Sequence, residues 1–139
     1  MSDGNLRTIF RERLPRLHWQ SIETAMTGGG VPDSNYCADG VEGWLEYKAT
    51  TGWAVTLRPA QIGWIARRVR AGGRVYVAVR QQGAGRDNLW LFHGRHVKDA
   101  RVDGLRGTWA RAAASWHEGP QCWNWKAVER ALLERAPLD

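Results

Sequence analysis

The chain has 139 residues, 43% hydrophobic and 24% charged, which fits one globular domain spanning residues 1–139 and excludes disordered, collagenous and fibrous classes. Its 20 Lys and Arg against 14 Asp and Glu leave a net charge of +6 and a pI near 10.0, favouring a polyanionic partner, nucleic acid before a membrane surface. No apolar run reaches the roughly 18 residues that cross a bilayer, and the charged start MSDGNLRTIFRERL does not suit a signal peptide. Two cysteines, Cys37 and Cys122, are too few for a disulfide framework or a four-ligand zinc site. A soluble, cytoplasmic chain in a reducing compartment is expected.

Leu6, Ile9, Phe10 and Leu14 recur at helical spacing until Pro15 interrupts them. Trp19, Ile22 and Met26 continue the spacing and predict a second helix, ended by Thr27 and the glycines 28–30. VPDSNYC and VEGWLEYKAT then read as extended segments either side of Asp39-Gly40. Pro59 suits the first turn of a helix whose Ile62, Ile65, Ala66 and Val69 form one face, and Gly72-Gly73 stops it. RVYVAVRQ is apolar on both faces and predicts a central strand covered on both sides. A Gly83 to Gly85 loop leads into NLWLFHG, another strand, and Trp123 to Arg135 carries an amphipathic helical pattern. The order helix, strand, strand, helix, strand, strand, helix is α/β, with a central mixed β-sheet flanked by helices; the helix before RVYVAVRQ supplies a parallel crossover.

The charges are unevenly placed. Of the 20 basic residues, 17 are Arg, whose planar fork pairs with phosphate at two points, although codon usage in a G+C-rich genome would raise Arg as well. Between Arg16 and Lys48 there is no Lys or Arg, while Glu23, Asp33, Asp39, Glu42 and Glu46 all fall there. From Arg58 to Arg111 the balance reverses, with Arg58, Arg67, Arg68 and Arg86 as candidate phosphate contacts. Carboxylates on a surface that binds a polyanion are costly unless a cation neutralises them, and oxygen-rich sites suit Mg²⁺ or Mn²⁺. Asp39 and Glu42 read as turn residues.

If Asp39 and Gly40 are the central residues of a two-residue hairpin turn, Asp33 faces Glu46 on the same side of the sheet. Both carboxylates then reach one divalent ion, and Lys48 returns to that face roughly 6.6 Å along the strand. A longer loop through Val41 to Gly43 shifts the register but leaves Glu46 and Lys48 on one face. Such a set suits phosphodiester hydrolysis: Asp33 and Glu46 hold the metal, the Tyr47 backbone carbonyl adds a ligand, and Lys48 orients the attacking water and offsets developing charge. Leu45 and Tyr47 point into the core and anchor the strand.

VPD at Val31 to Asp33 followed by LEYKA at Leu45 to Ala49 resembles the PD-(D/E)XK nuclease signature. Arg58-Pro59-Ala60-Gln61 with Trp64, the Gly72-Gly73 stop and the valine-rich strand are similar to the VRR-NUC branch and to small phage-encoded Holliday-junction resolvase-like endonucleases. The likeness spans Trp19 to Arg80, less than half of the chain. It implies a restriction-endonuclease-like fold, Mg²⁺ or Mn²⁺ dependence and structure-selective cleavage of branched DNA, in the host cytoplasm if phage-encoded. It also implies that Glu23, on the helix before the first site strand, adds an acid, and that Gln61 sits beside the metal. From spacing alone Glu23 reads equally as an exposed helix carboxylate, and Gln61 as a solvated side chain. A small one-site protein that cuts two strands does so most simply as a homodimer. The alternatives are a nicking or sequence-specific DNA endonuclease, and a non-catalytic DNA-binding protein on a nuclease fold; RNA remains a possible substrate.

Other candidates are weaker. His93 and His96 are spaced HxxH but have Gly94 between them and no carboxylate or cysteine nearby in sequence. His18 suits a cap or surface position, and Cys37 a small buried residue. Ser34 and Ser115 carry no triad pattern, and Gly83 to Gly85 is neither a P-loop nor a dinucleotide fingerprint. Nine tryptophans are many, and Trp109, Trp116, Trp123 and Trp125 cluster late in the chain, where core packing competes with base stacking and a dimer interface.

Overall fold

The computed structural model describes residues 3–23, 29–108 and 114–134. Helix α1 (Leu6–Arg13) is followed by strands β1 (His18–Ser21), β2 (Ser34–Ala38) and β3 (Val41–Thr50), then by helix α2 (Pro59–Arg70) and strands β4 (Val75–Gly83) and β5 (Arg86–His93). A short 3-10 turn (Gly94–His96) leads to α3 (Val97–Thr108), β6 (Ala114–Trp116) and α4 (Trp125–Leu133). The strands form one sheet in chain order, antiparallel except where β3 runs parallel to β4 across the α2 crossover. This is the expected α/β architecture, a mixed sheet with helices on both faces. Among the described residues no helix is long and apolar enough to cross a membrane.

Alternation along the strands sends each side chain to one of two cores. Leu45, Tyr47, Tyr76, Ala78, Leu89 and Leu91 pack with Leu6 and Phe10 from α1, with Leu14 just after it, and with Val128 and Leu132 from α4. Val75, Val77, Val79, Trp90 and Phe92 project to the opposite face, under Ile62 and Ile65 of α2 and Val97, Ala100 and Leu105 of α3. Strand β4 is buried on both sides, as its near-continuous apolar run predicts. The late tryptophans are largely core. Trp123 is buried, Trp116 and Trp125 pack against the α1 and α4 core, and the Trp125 ring meets Phe10 edge-on with centroids 5.2 Å apart. Trp109 and Arg111 lie outside the described residues.

The second helix predicted from Trp19, Ile22 and Met26 is absent over its described part. His18 to Ser21 is a strand paired with β2, with His18 opposite Cys37 and Ser21 opposite Ser34. Trp19 packs against Tyr36 and Phe10 while its indole N–H donates to the Leu14 carbonyl at 3.0 Å. Strand pairing satisfies the backbone and lets every second side chain face the core, a period that two apolar residues three apart do not reveal. Met26, Thr27 and Gly28 lie outside the described residues. Strand β6, helix α3 and the 3-10 turn have no counterpart in the predicted order. Helix α4 begins at Trp125, where the Asn124 side chain accepts the Ala127 N–H at 3.0 Å.

Candidate metal and nuclease site

The hairpin that carries the site has the tight register expected. Asp39 (φ 53°) and Gly40 (φ 75°) are both left-handed, as a two-residue type I′ turn requires, and Ala38 pairs with Val41. The ladder ends at Ser34 opposite Leu45, which puts Asp33, the residue just before β2, at the register position of Glu46. Two bonds fix Asp33 there: its carbonyl accepts the Ile22 N–H at 2.9 Å, extending the β1 ladder, and its Oδ2 accepts the Tyr47 N–H at 2.9 Å. The loop into Asp33 is seated on the start of α2 at Gly30 (φ 78°), where an added Cβ would lie 2.2 Å from the Ala60 carbonyl oxygen.

Gln61 joins strand and helix. Its Nε2 donates to Glu46 Oε2 at 2.8 Å, and its Oε1 accepts both Lys48 Nζ at 3.0 Å and the Arg58 N–H at 2.9 Å. Lys48 Nζ also lies 3.4 Å from Glu46 Oε2. Gln61 is buried, so it is not a solvated helix-end side chain. Asp33, Glu46, Lys48 and Gln61 thus come together on the face covered by α2.

The Glu46 side chain is only 3% exposed. Burial first, and then the neighbouring Asp33 charge, push its carboxyl up from 4.5 to about 7. Burial also raises Asp33, outweighing the Tyr47 N–H and Arg7. Glu46 Oε1 is buried with no hydrogen-bond partner, an anomaly for a carboxylate oxygen. An oxygen left open beside a second carboxylate is a fit for a hard divalent cation. Among the described residues no three His, Cys, Asp or Glu side chains converge, so any further ligands would be backbone carbonyls or water.

Sequence reading missed Arg7. From α1 it reaches round to the site, with Nη2 3.7 Å from Asp33 Oδ1 and Nη1 3.5 Å from Glu23 Oε1. The only signal was its place one residue after the buried Leu6, and no spacing rule ties that position to Asp33. Glu23 lies on an irregular segment after β1 rather than on a helix, with 82% of its side chain exposed, and is tied to Asp33 through Arg7. The Tyr47 phenol points into the α1 core and donates to Ser34 Oγ at 3.0 Å.

The candidate phosphate contacts spread over the α2 side. Arg58 precedes α2, and Arg67 and Arg68 are exposed on it, with the Arg68 guanidinium 5.1 Å from the Trp44 ring and 4.8 Å from the Trp64 ring. Arg86 begins β5 and lies over Trp53. His93 is a turn cap whose Nδ1 accepts the Arg95 N–H at 3.0 Å, and both cysteines are free thiols. No protein-family model matches the chain, and neither does any curated protein.

Proposed function

We propose that this protein is a Mg²⁺- or Mn²⁺-dependent endodeoxyribonuclease that hydrolyses phosphodiester bonds in branched DNA, acting as a homodimer. The observation that carries the reading is the buried Glu46 carboxyl, whose Oε1 is unpartnered and on which the Asp33 charge acts, with the Lys48 ammonium 3.4 Å from the other Glu46 oxygen. Asp33 and Glu46, with the Tyr47 carbonyl, would hold the ion. When bound, it supplies charge neutralisation at the phosphoryl group and lowers the pKa of water.

The chain's own groups do the rest. Gln61 locks the Glu46 carboxylate and the Lys48 ammonium in one arrangement, so neither must reorganise during the reaction. Lys48 orients the attacking water and stabilises negative charge growing on the phosphate oxygens. Arg7, beside Asp33 and one-third exposed, is an entry-side cation for the strand.

The test is incubation of labelled four-way junction and linear duplex with Mg²⁺, with EDTA, and with Glu46→Ala. Junction cutting that needs Mg²⁺ and falls at least about a hundredfold in the variant is expected. Equal cutting of all substrates would overturn structure selectivity and favour a nicking or sequence-specific enzyme. Metal-independent binding without cleavage would leave a DNA-binding protein. Light scattering on the eluting protein checks the dimer.

A further inference from the structure

We propose that Arg86 and Arg106, both held on the indole of Trp53, form a clamp for consecutive phosphates of a DNA strand beside the candidate nuclease centre, a proposal that rests on the reading above. The Arg86 Cζ lies 5.1 Å and the Arg106 Cζ 4.5 Å from the Trp53 ring centroid. The two cations are therefore closer together than a Debye length, about 10 Å at 0.1 M salt, and each repels the other. Among the described residues neither forms an ion pair, and Arg86 Nε is buried without a hydrogen-bond partner. Arg86 Nη2 donates to the Thr51 carbonyl at 3.4 Å. Crowded guanidinium groups without an ion-pair partner are stabilised by an anion that bridges them, and a guanidinium has five N–H donors, so others remain on each for phosphate oxygens.

The ring that carries them is fixed. Gly52 O accepts Gln81 Nε2 at 2.7 Å, Trp53 O accepts the Leu105 N–H at 2.7 Å, and the indole packs at 6.2 Å on buried Trp90. Gly104 (φ 68°) permits the approach of α3, since a Cβ there would lie 2.5 Å from the Trp53 carbonyl oxygen. Trp53 follows Lys48 by five residues, a span of at most about 18 Å. It packs with the core formed by Val77 and Val79, the residues paired with Glu46 and Lys48, so clamp and centre share one face of the sheet.

The test measures anisotropy of fluorescein-labelled junction and single-stranded DNA in EDTA across a salt series, where binding is read without turnover. Arg86→Ala/Arg106→Ala is expected to weaken binding at least tenfold and to lower the slope of log K against log[salt] by about 1 to 2, from about 0.7 to 0.9 per phosphate contact. Trp53→Ala keeps both charges and is expected to lose severalfold in affinity at an unchanged slope. Lys126→Ala/Arg130→Ala removes the same charge from exposed positions of α4 on the other face and is expected to stay within twofold of wild type. Binding by the double-arginine variant equal to wild type, or to the α4 control, would overturn the clamp. So would displacement of the strand by inorganic phosphate at equal phosphate concentration, which would mark a free-anion site. The two readings fail separately: a clamp that binds DNA in a protein that never cuts removes the nuclease alone, and metal-dependent cutting with normal binding by the double variant removes the clamp alone.

Discussion

Glu46 is the residue at which burial and charge conflict most. Its carboxyl is raised to about 7, so between about pH 4.5 and 7 the folded protein holds a proton that the unfolded chain has lost. Stability of the metal-free protein therefore falls as pH rises through that window and levels off above it, by an amount on the order of 3 kcal/mol. Glu46→Gln keeps the shape and removes the titration, and it should flatten most of the slope in urea unfolding curves taken in EDTA from pH 5 to 8. Parallel profiles for both proteins would contradict the assignment. The same proton competes with a cation, so Mn²⁺ affinity measured by calorimetry should climb up to about pH 7 and then plateau. Gln61→Ala, which releases Glu46 and Lys48 together, should cost about 10- to 100-fold in Mn²⁺ affinity or cleavage rate.

At the scale of elements, the hairpin and the loops that brace it decide whether those side chains meet. Asp39-Gly40 suggested the β2–β3 register, because both residues tolerate the left-handed φ of a type I′ turn, and the structure takes that turn rather than the longer loop. Asp33, Glu46 and Lys48 were legible for that reason, as were α2 from Pro59 and β4 from its valines. Glu23 was not: Trp19 and Ile22, three apart, suggested a helix, whereas Trp19 and Ser21 alternate with exposed His18 and Gln20 in a short edge strand that ends before Glu23. Arg7 and the Gln61 bridge were hidden because they join segments distant in sequence. Gln81 is a similar case, a buried amide whose Oε1 accepts Asn88 Nδ2 at 3.1 Å and Trp90 Nε1 at 3.0 Å while its Nε2 holds Gly52. Gln81→Leu strands those groups and should cost about 2 to 4 kcal/mol in chemical denaturation. Gly30→Ala drives a Cβ into the Ala60 carbonyl at a left-handed φ and should destabilise by about 1 to 3 kcal/mol, a loss read as a lower melting temperature. A melting temperature equal to wild type for either variant would show that the bracing is dispensable.

Across the whole molecule, two cores lie on opposite faces of one sheet, and a basic chain places Glu46 and Lys48 within β3 on the face covered by α2, with Asp33 beside them. Composition carries the net charge, but not that most late tryptophans would fill the α1 and α4 core, since a tally of aromatic residues carries no depth. The proposed function depends on one chemical claim, that Asp33 and Glu46 share a divalent cation. Crystals soaked in MnCl₂ and measured at the manganese edge test it most directly. A single anomalous peak between Asp33 and Glu46 Oε1, lost in Glu46→Gln, is expected; a map with no peak there, or with Arg7 and Lys48 closing the gap at full Mn²⁺ concentration, would rule out the shared ion.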